Sequence, residues 1–437
     1  MIPILRLDDE TDRQRAESLL DKLRLDPRRL VLETAKDDES VRQILADVAR
    51  RGDGAIVDSA RRFDDPDFTR EQIRVTLDEM RDAAAGVSSE QMKSVRRSIS
   101  QVRRYQSKVM PREQPHFERE GVQLGMRFIP LDSAGLYFPG GKASYPSTLI
   151  MLAVPAQVAG VKEIVVCSPA SRFGRSDLVL ATCLELGLTH VYRAGGAAAI
   201  AAMAFGTAII PAVDKIVGPG NRYVQLAKRA LSGAVGIDGF LGPSEIVVIA
   251  DESGDPRCIA ADLLAQAEHD PGSCFLITPS RALATQVVNE IEEQKKSLTR
   301  NAAIDRALDS DSAILISPSM ESAIDWANRF AAEHVNIQTK NDEAVLAKLR
   351  HAGAVFLGRN SPVAAGDYVA GPSHCLPTNT TARFTSGISV YEFLRRSSVE
   401  RYTAQGIAAD GPAIIALAEA EGLDAHAASV RVRTESR

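Results

Sequence analysis

Four short stretches of this chain combine residue types able to move a proton or hold a cation. In Ala265-Gln266-Ala267-Glu268-His269-Asp270 the amide of Gln266 and the imidazole of His269 stand three residues apart. A helix sets such a pair on one face, where an oxygen and a nitrogen converge on one ion. The same string also reads as an ordinary helix ending in a polar turn. Glu333-His334 joins a carboxylate to an imidazole just after an apolar stretch containing Trp326. Side by side, such groups can divide two proton transfers, because imidazole titrates near neutrality; a solvated helix end is the competing reading. Ala364 through His374 is a small-residue loop holding Asp367 and His374. Small residues let backbone approach a ligand closely, and a simple capped turn is the alternative. Glu421 and His426 lie near the end of the chain, where a terminal helix needs neither; a surface helix end with an accidental His is the competing reading. The seven histidines are His116, His190, His269, His334, His351, His374 and His426. Four of them fall in these contexts, which suggests one shared polar site.

The elements that must position these groups are legible in outline. Residues 12–107 read as mostly helical, with Val41, Ile44, Leu45, Val48 and Ala49 at helical spacing. From about residue 120 short apolar runs alternate with helical stretches. Strands are expected at Glu163–Cys167, Lys215–Val217, Glu245–Ala250, Phe275–Thr278, Ala313–Ser317 and Ala354–Leu357. Helices are expected at 176–187, 221–232, 257–268, 281–297, 319–330 and 342–350. This alternation predicts an α/β fold with parallel sheets and crossover helices. Ser168-Pro169, Thr278-Pro279 and Ser317-Pro318 end three of the strands and hint at repeated units. Glycine and proline cluster at 135–146, 218–221 and 239–243. Ligands of open α/β sheets bind beyond the carboxyl ends of strands, so these clusters are the first places to seek a site. After residue 388 the chain reads as helical again to Glu421, followed by a short basic tail.

The nucleotide signals are partial. No G-x-G-x-x-G follows a strand, and Gly218-Pro219-Gly220-Asn221 supplies only the first half of that fingerprint at a helix start. Gly140-Gly141-Lys142 lacks the spacing and the following Ser/Thr of a P-loop. A net charge of -5 without a long run of one sign argues against nucleic acid and anionic membrane as partners. Five cysteines without a C-x-x-C pair point to a reducing compartment. The first residues show no signal-peptide core, and the apolar run Ser147 to Val161 is broken by Pro155. A cytoplasmic location is expected.

Taken together, the strings Gly135-Leu-Tyr-Phe-Pro-Gly-Gly-Lys142, Val213-Asp-Lys-Ile-Val-Gly-Pro-Gly-Asn221, Gly236-Ile-Asp238, Gly242-Pro-Ser-Glu245, Gln266-Ala-Glu-His269, Glu333-His334, Ala365-Gly-Asp-Tyr-Val-Ala-Gly371 and Glu421 through His426 resemble the histidinol dehydrogenase family. They are collinear over most of the chain. The resemblance implies a zinc-dependent, NAD-using oxidation of L-histidinol through its aldehyde to L-histidine, in histidine biosynthesis. Gln266, His269, Asp367 and His426 would be the zinc ligands, with His426 supplied by the partner of an interlocked homodimer. His334 would be the general base and Glu333 would activate the water that hydrates the aldehyde. Ser244, His374 and Glu421 would bind substrate, beside the ligands and Glu333; Tyr137 and Asn221 would contact NAD. The implied fold is two incomplete Rossmann-like domains with small helical pieces. Residues 26–136 and 244–388 would form the first, carrying the metal and catalytic groups, and 137–243 the second, on the NAD side. Residues 1–25 with 389–414 would form a dimerisation piece, and 415–437 a tail reaching the partner subunit.

Two positions depart from the family pattern. Ala198 stands where the family carries a Gln that helps bind NAD, which implies weaker cofactor binding or compensation nearby. Ser373 stands where Asn is expected, which touches details of the substrate pocket. Two other readings stay open: a same-superfamily dehydrogenase of another small polar alcohol such as a sulfonated diol, and a non-catalytic binding protein on this scaffold. A sulfonate calls for added Arg or Lys, whereas Glu421 suits an ammonium group.

Overall fold

Runs such as Glu245–Ala250 and Phe275–Thr278 are apolar at nearly every position, the pattern of strands covered on both faces. The computed structural model describes residues 2–32, 35–112, 117–140, 144–171, 175–239, 242, 244–269 and 271–435. In chain order its strands are β1 (Ile4–Arg6), β2 (Phe117–Arg119), β3 (Val122–Pro130), β4 (Ser133–Tyr137), β5 (Glu163–Ser168), β6 (His190–Arg193), β7 (Lys215–Val217), β8 (Gly236–Ile237), β9 (Ser244–Ala250), β10 (Gly272–Thr278), β11 (Ala313–Ile316), β12 (His334–Gln338), β13 (Ala354–Leu357) and β14 (Leu394–Tyr402). His116, Gly141, Lys142, Pro243 and Asp270, all quoted above, lie outside the described residues.

Strands β4 to β8 form a parallel sheet in the order β6-β5-β4-β7-β8. Strands β9 to β13 repeat that order in a second parallel sheet, β11-β10-β9-β12-β13, with β1 added beside β11. Each sheet thus starts at its centre, winds outward one way, then reverses, which is the doubly wound Rossmann arrangement. The expectation of two Rossmann-like units holds. Side-chain caps fix where the crossover helices start: Asp255, Ser280 and Ser319 each accept a backbone N–H at the N-terminus of the helix that follows.

The helices between residues 35 and 109 pack on the unit of the smaller sheet, whereas Glu10–Leu23 packs on that of the larger one. Ala35–Arg51 packs on Gly196–Phe205, Leu77–Gly86 on Asp177–Glu185, and Ser89–Val109 on Pro146–Ala159. Val41 and Leu45 join Ile200 and Met203 in one core, while Met80 and Val95 join Leu149 and Leu180 in another. These helices therefore belong with the 137–243 unit, although the sequence grouped 26–136 with the other. Residues 1–25 likewise supply β1 to the larger sheet. Periodicity shows which stripe of a helix is apolar; it carries no information about which sheet covers that stripe.

The segment after 388 is not continuously helical. Strand β14 pairs antiparallel with β3 over its whole length, from Leu394 opposite Pro130 to Tyr402 opposite Val122, and β2 extends this arm. Both faces of β14 carry charged or half-exposed residues, so it lacks the alternation by which a strand is recognised. Helices Ala404–Ala420 and Asp424–Thr434 follow as a packed pair. Among the described residues no helix is long and apolar enough to cross a membrane.

Candidate active site

Three neighbouring strands of the larger sheet begin at the residues singled out for chemistry. Ser244 opens β9, His334 opens β12, and His269 lies three residues before β10. Gly272 pairs with Ser244 and His334 with Ile246, so the three openings sit side by side. The site therefore stands at the amino edge of this sheet, not at the carboxyl edge that the Rossmann rule favours. The reason lies in the connection. The chain leaves the carboxyl end of β8 at Ile237 and enters the amino end of β9 at Ser244 after only residues 238–243. The carboxyl edge of the smaller sheet is thus brought against the amino edge of the larger one.

Glu333 and His334 are buried at the start of β12, so the solvated helix end is excluded. The Ser244 hydroxyl donates to Glu333 Oε2, and the Glu245 N–H donates to the same oxygen at 3.1 Å. Burial holds the Glu333 carboxyl well above the usual carboxylate range, against these two hydrogen bonds, and the neighbouring Glu245 carboxylate adds to the effect. His334 Nδ1 lies 3.5 Å from Glu333 Oε2 and its Nε2 lies 3.9 Å from Asp367 Oδ1. Burial, followed by the charges of His374 and His269, pushes His334 down to about 3. This imidazole is neutral at physiological pH.

Asp367 lies in the short helix Val363–Tyr368 and His374 in the loop beyond it. The loop folds back so that His374 Nδ1–H meets the backbone carbonyl of Asp367 at 2.8 Å. Thr148 Oγ1 stands 3.0 Å from His374 Nε2. With Nδ1 donating, Nε2 accepts the Thr148 hydroxyl, and the ring is fixed as one neutral tautomer. Burial pushes His374 down to about 4, and Asp367 is pushed up to about 6 by the same cause. Thr148 sits in the first turn of the helix after β4, so this contact joins the two halves of the molecule.

Gln266 is buried at the end of Pro256–Ala267, with its Nε2 lacking a partner, while His269 is exposed just beyond. Gln266, His269 and Asp367 offer two oxygens and a nitrogen of the kinds that suit zinc. Glu421 and His426 are exposed on the terminal helix pair, whose principal packing is with each other. Among the described residues of one chain, no three His, Cys, Asp or Glu side chains form a metal cluster.

The order of the smaller sheet reverses between β4 and β7, where Tyr137 ends β4 and Gly218 to Asn221 form the turn after β7. Asn221 is exposed and caps the helix Arg222–Leu231 through Val224 N–H. Tyr137 is buried, and its hydroxyl oxygen accepts the Gly196 N–H at 3.1 Å. Ala198 is only 2% exposed, in an all-apolar helix packed among Tyr137, Val165 and Tyr192.

Sequence reasoning missed Thr148 and the buried carboxylates Glu245 and Asp262. Thr148 carried no signal, lying within an apolar run far from His374 in the chain. Glu245 was quoted only as part of a string; its signal was a lone charge opening the apolar run Ile246–Ala250. Asp262, in the helix that bears Gln266, accepts the Val363 N–H at 3.3 Å and so ties this helix to the one holding Asp367.

The histidinol dehydrogenase family model matches residues 28–434. The histidinol dehydrogenase of Gluconobacter oxydans is 45% identical over 398 residues, covering 91% of this chain and 93% of that protein. That of Geobacillus kaustophilus is 46% identical over 404 residues, covering 92% and 95%. The crystal structure of histidinol dehydrogenase from Elizabethkingia anophelis superposes with a TM-score of 0.89 at 34% identity, covering 99% of this chain and 98% of that one. With this match over nearly its whole length, the chain belongs to the histidinol dehydrogenase family of NAD-dependent oxidoreductases.

Proposed function

We propose that the chain oxidises L-histidinol through L-histidinal to L-histidine in two successive hydride transfers, as a homodimer with zinc in each site. The observation that carries this reading is the buried convergence of Ser244, Glu333, His334, Asp367 and His374 at one sheet edge, beside Gln266 and His269. Bound NAD supplies the hydride acceptor, and bound zinc supplies a Lewis acid that holds the substrate's amine and imidazole nitrogens.

The rest of the chemistry falls to the chain's own side chains. Neutral His334 carries a free lone pair, the state a general base needs, and takes the hydroxyl proton at the ring face toward Asp367. The Glu333 carboxyl, held by the Ser244 hydroxyl and the Glu245 N–H, orients the water that adds to the aldehyde carbon. Once His334 has released that proton to solvent, it takes the hydrate's proton in the second step. Gln266, His269 and Asp367 would hold the metal, completed by His426 of the partner subunit, and Glu421 would meet the substrate ammonium. Burial keeps water from competing with these transfers.

The electrostatics favour an amino alcohol over a sulfonated one. Among the described residues, the charges acting on Glu333, His334 and His374 come from carboxylates and imidazoles, with no Lys or Arg. The test is the number of NADH formed per L-histidinol consumed, with and without a chelator. Two per substrate, abolished by chelation and restored by zinc, is the expected result. One NADH with release of the aldehyde would overturn the two-step reading.

A further inference from the structure

The turn after β7 is gripped by a pair of charges that the chemistry above does not use. Lys228, in Arg222–Leu231, and Asp238, just after β8, form an ion pair in which neither side chain reaches solvent. Both members also hold the backbone of one residue. Asp238 Oδ2 accepts the Gly218 N–H at 2.6 Å, and Lys228 Nζ donates to the Gly218 carbonyl at 3.0 Å. The pair thus closes a ring around Gly218.

Gly218 is itself tightly constrained. Its φ is +120°, and a Cβ there would stand 1.8 Å from the carbonyl oxygen of Tyr137 at the end of β4. The turn therefore passes directly over the point where strand order reverses, with no side chain between the two strand ends. Further along, Gln225 Nε2 donates to the Gly220 carbonyl at 3.2 Å, and Asn221 caps the helix. Among the described residues, these anchors of the turn come from the helix that follows it and from Asp238. A fully buried ion pair is a poor means of gaining stability, since both charges give up hydration and an apolar pair of similar size often does as well. What it does well is fix a geometry, because each charge accepts only a narrow set of partners.

We propose that Lys228 and Asp238 are positioning residues that preset the Gly218–Asn221 turn for the pyrophosphate of the dinucleotide, without touching it. The proposal rests on the reading that this turn receives the cofactor. In that arrangement the backbone N–H groups of the turn and the N-terminus of Arg222–Leu231 face the phosphates, and the clamp prevents the turn from rotating away.

The test is equilibrium NAD binding to the full-length enzyme, measured beside zinc content, L-histidinol KM and melting temperature. Lys228→Met should weaken NAD binding by about ten-fold or more, the scale of a lost charge-assisted hydrogen bond. Zinc content and L-histidinol KM should not change. The double variant Lys228→Met with Asp238→Asn removes both charges while keeping an acceptor for the Gly218 N–H. Its melting temperature should recover relative to the single variant, but its NAD affinity should stay low, because the Gly218 carbonyl still lacks its donor. Recovery of NAD affinity together with melting temperature would reduce the pair to a structural element and overturn the proposal. Asn221→Asp separates the two levels of the argument, since Asp caps a helix as well as Asn but sets a negative charge on the turn. If Asn221→Asp leaves NAD affinity unchanged, the reading of the turn fails and the proposal with it. If Asn221→Asp weakens NAD binding and Lys228→Met does not, the clamp alone is overturned.

Discussion

Replacing Thr148 by Val isolates one hydrogen bond that joins the two halves of the molecule. Val keeps the shape of Thr and removes only the hydroxyl that faces His374 Nε2 at 3.0 Å. His374 is then left with one nitrogen bonded to the Asp367 carbonyl at 2.8 Å and the other facing an apolar methyl. An acceptor stripped of its donor in a buried setting costs about 1–3 kcal/mol. The ring can recover part of this by rotating, but rotation breaks the bond to the Asp367 carbonyl and frees the end of the short helix that carries Asp367, a proposed zinc ligand. Either way the substrate pocket is less well ordered, and the loss should appear in L-histidinol KM, by about 5- to 100-fold at 1.4 kcal/mol per decade. NAD binding should be untouched. Thr148→Ser restores the hydroxyl and should restore KM. The assay is initial-rate kinetics with each substrate varied in turn, beside a thermal melt. Wild-type L-histidinol KM and wild-type melting in Thr148→Val would refute the claim that this hydroxyl fixes His374.

Asp262 gives a pH signature. Burial pushes its carboxyl from 3.8 up to about 6 in the folded state. An acid raised on folding favours the protonated native form, so the wild type loses stability as pH rises from about 4 to 6 and is level above, by up to about 3 kcal/mol. Asp262→Asn keeps an acceptor for the Val363 N–H and has no charge to bury. Its melting temperature should gain on the wild type across that window; parallel curves from pH 4.5 to 7.5 would count against the burial argument. At position 198, Gln would have to enter a packed apolar helix, a change of the kind that costs about 1–3 kcal/mol through overpacking. Ala198→Gln should lower the melting temperature without lowering the NAD KM, and a lower KM with unchanged melting would show that the family's amide was simply missing. Mixed dimers of His426→Ala and His269→Ala chains should regain activity that neither homodimer has, to about half of wild type, because one shared site of the two is complete. Inactive heterodimers, verified as such, would end the model in which His426 crosses between subunits.

The parts of the fold that were legible in the sequence are those where one rule dominates. Fully buried parallel strands appear as unbroken apolar runs, so Glu245–Ala250 was found to within one residue of β9, and Phe275–Thr278 as the last four residues of β10, whose start is Gly272-Ser273-Cys274. Strand β12 was missed because it opens with His334 and carries Asn336 and Gln338, three polar residues buried on one strand. Asn336 donates toward the carbonyls of Phe356 and Ser361, and Gln338 Oε1 accepts the Asp255 N–H, all partners distant in the chain, while Gln338 also donates to Asn336 on its own strand. Polarity satisfied by tertiary contacts reads, in one dimension, as solvent exposure. The same confusion made Glu333-His334 look like a solvated helix end when it is the buried heart of the site.

A second kind of failure concerns direction. The rule that ligands gather at the carboxyl ends of strands is satisfied by the smaller sheet, whose β4 and β7 ends carry the glycine turn. It fails for the larger sheet because the six-residue link 238–243 delivers the chain from one sheet's carboxyl edge to the other's amino edge. That placement has a chemical consequence. On the proposed reading a hydride passes between a cofactor held by one unit and a substrate held by the other, and the two binding edges then have to face each other. Two doubly wound units related by a short link meet that condition when one presents its carboxyl edge and the other its amino edge. At the larger sheet's own carboxyl edge, after β9 and β12, Asp251 accepts the Lys340 N–H and Lys340 pairs with Glu252 at the surface. The second unit keeps the winding of a nucleotide-binding fold while its opposite edge carries the proposed catalytic residues, and this is why those residues, and not the glycine turn of the smaller sheet, escaped the positional rule.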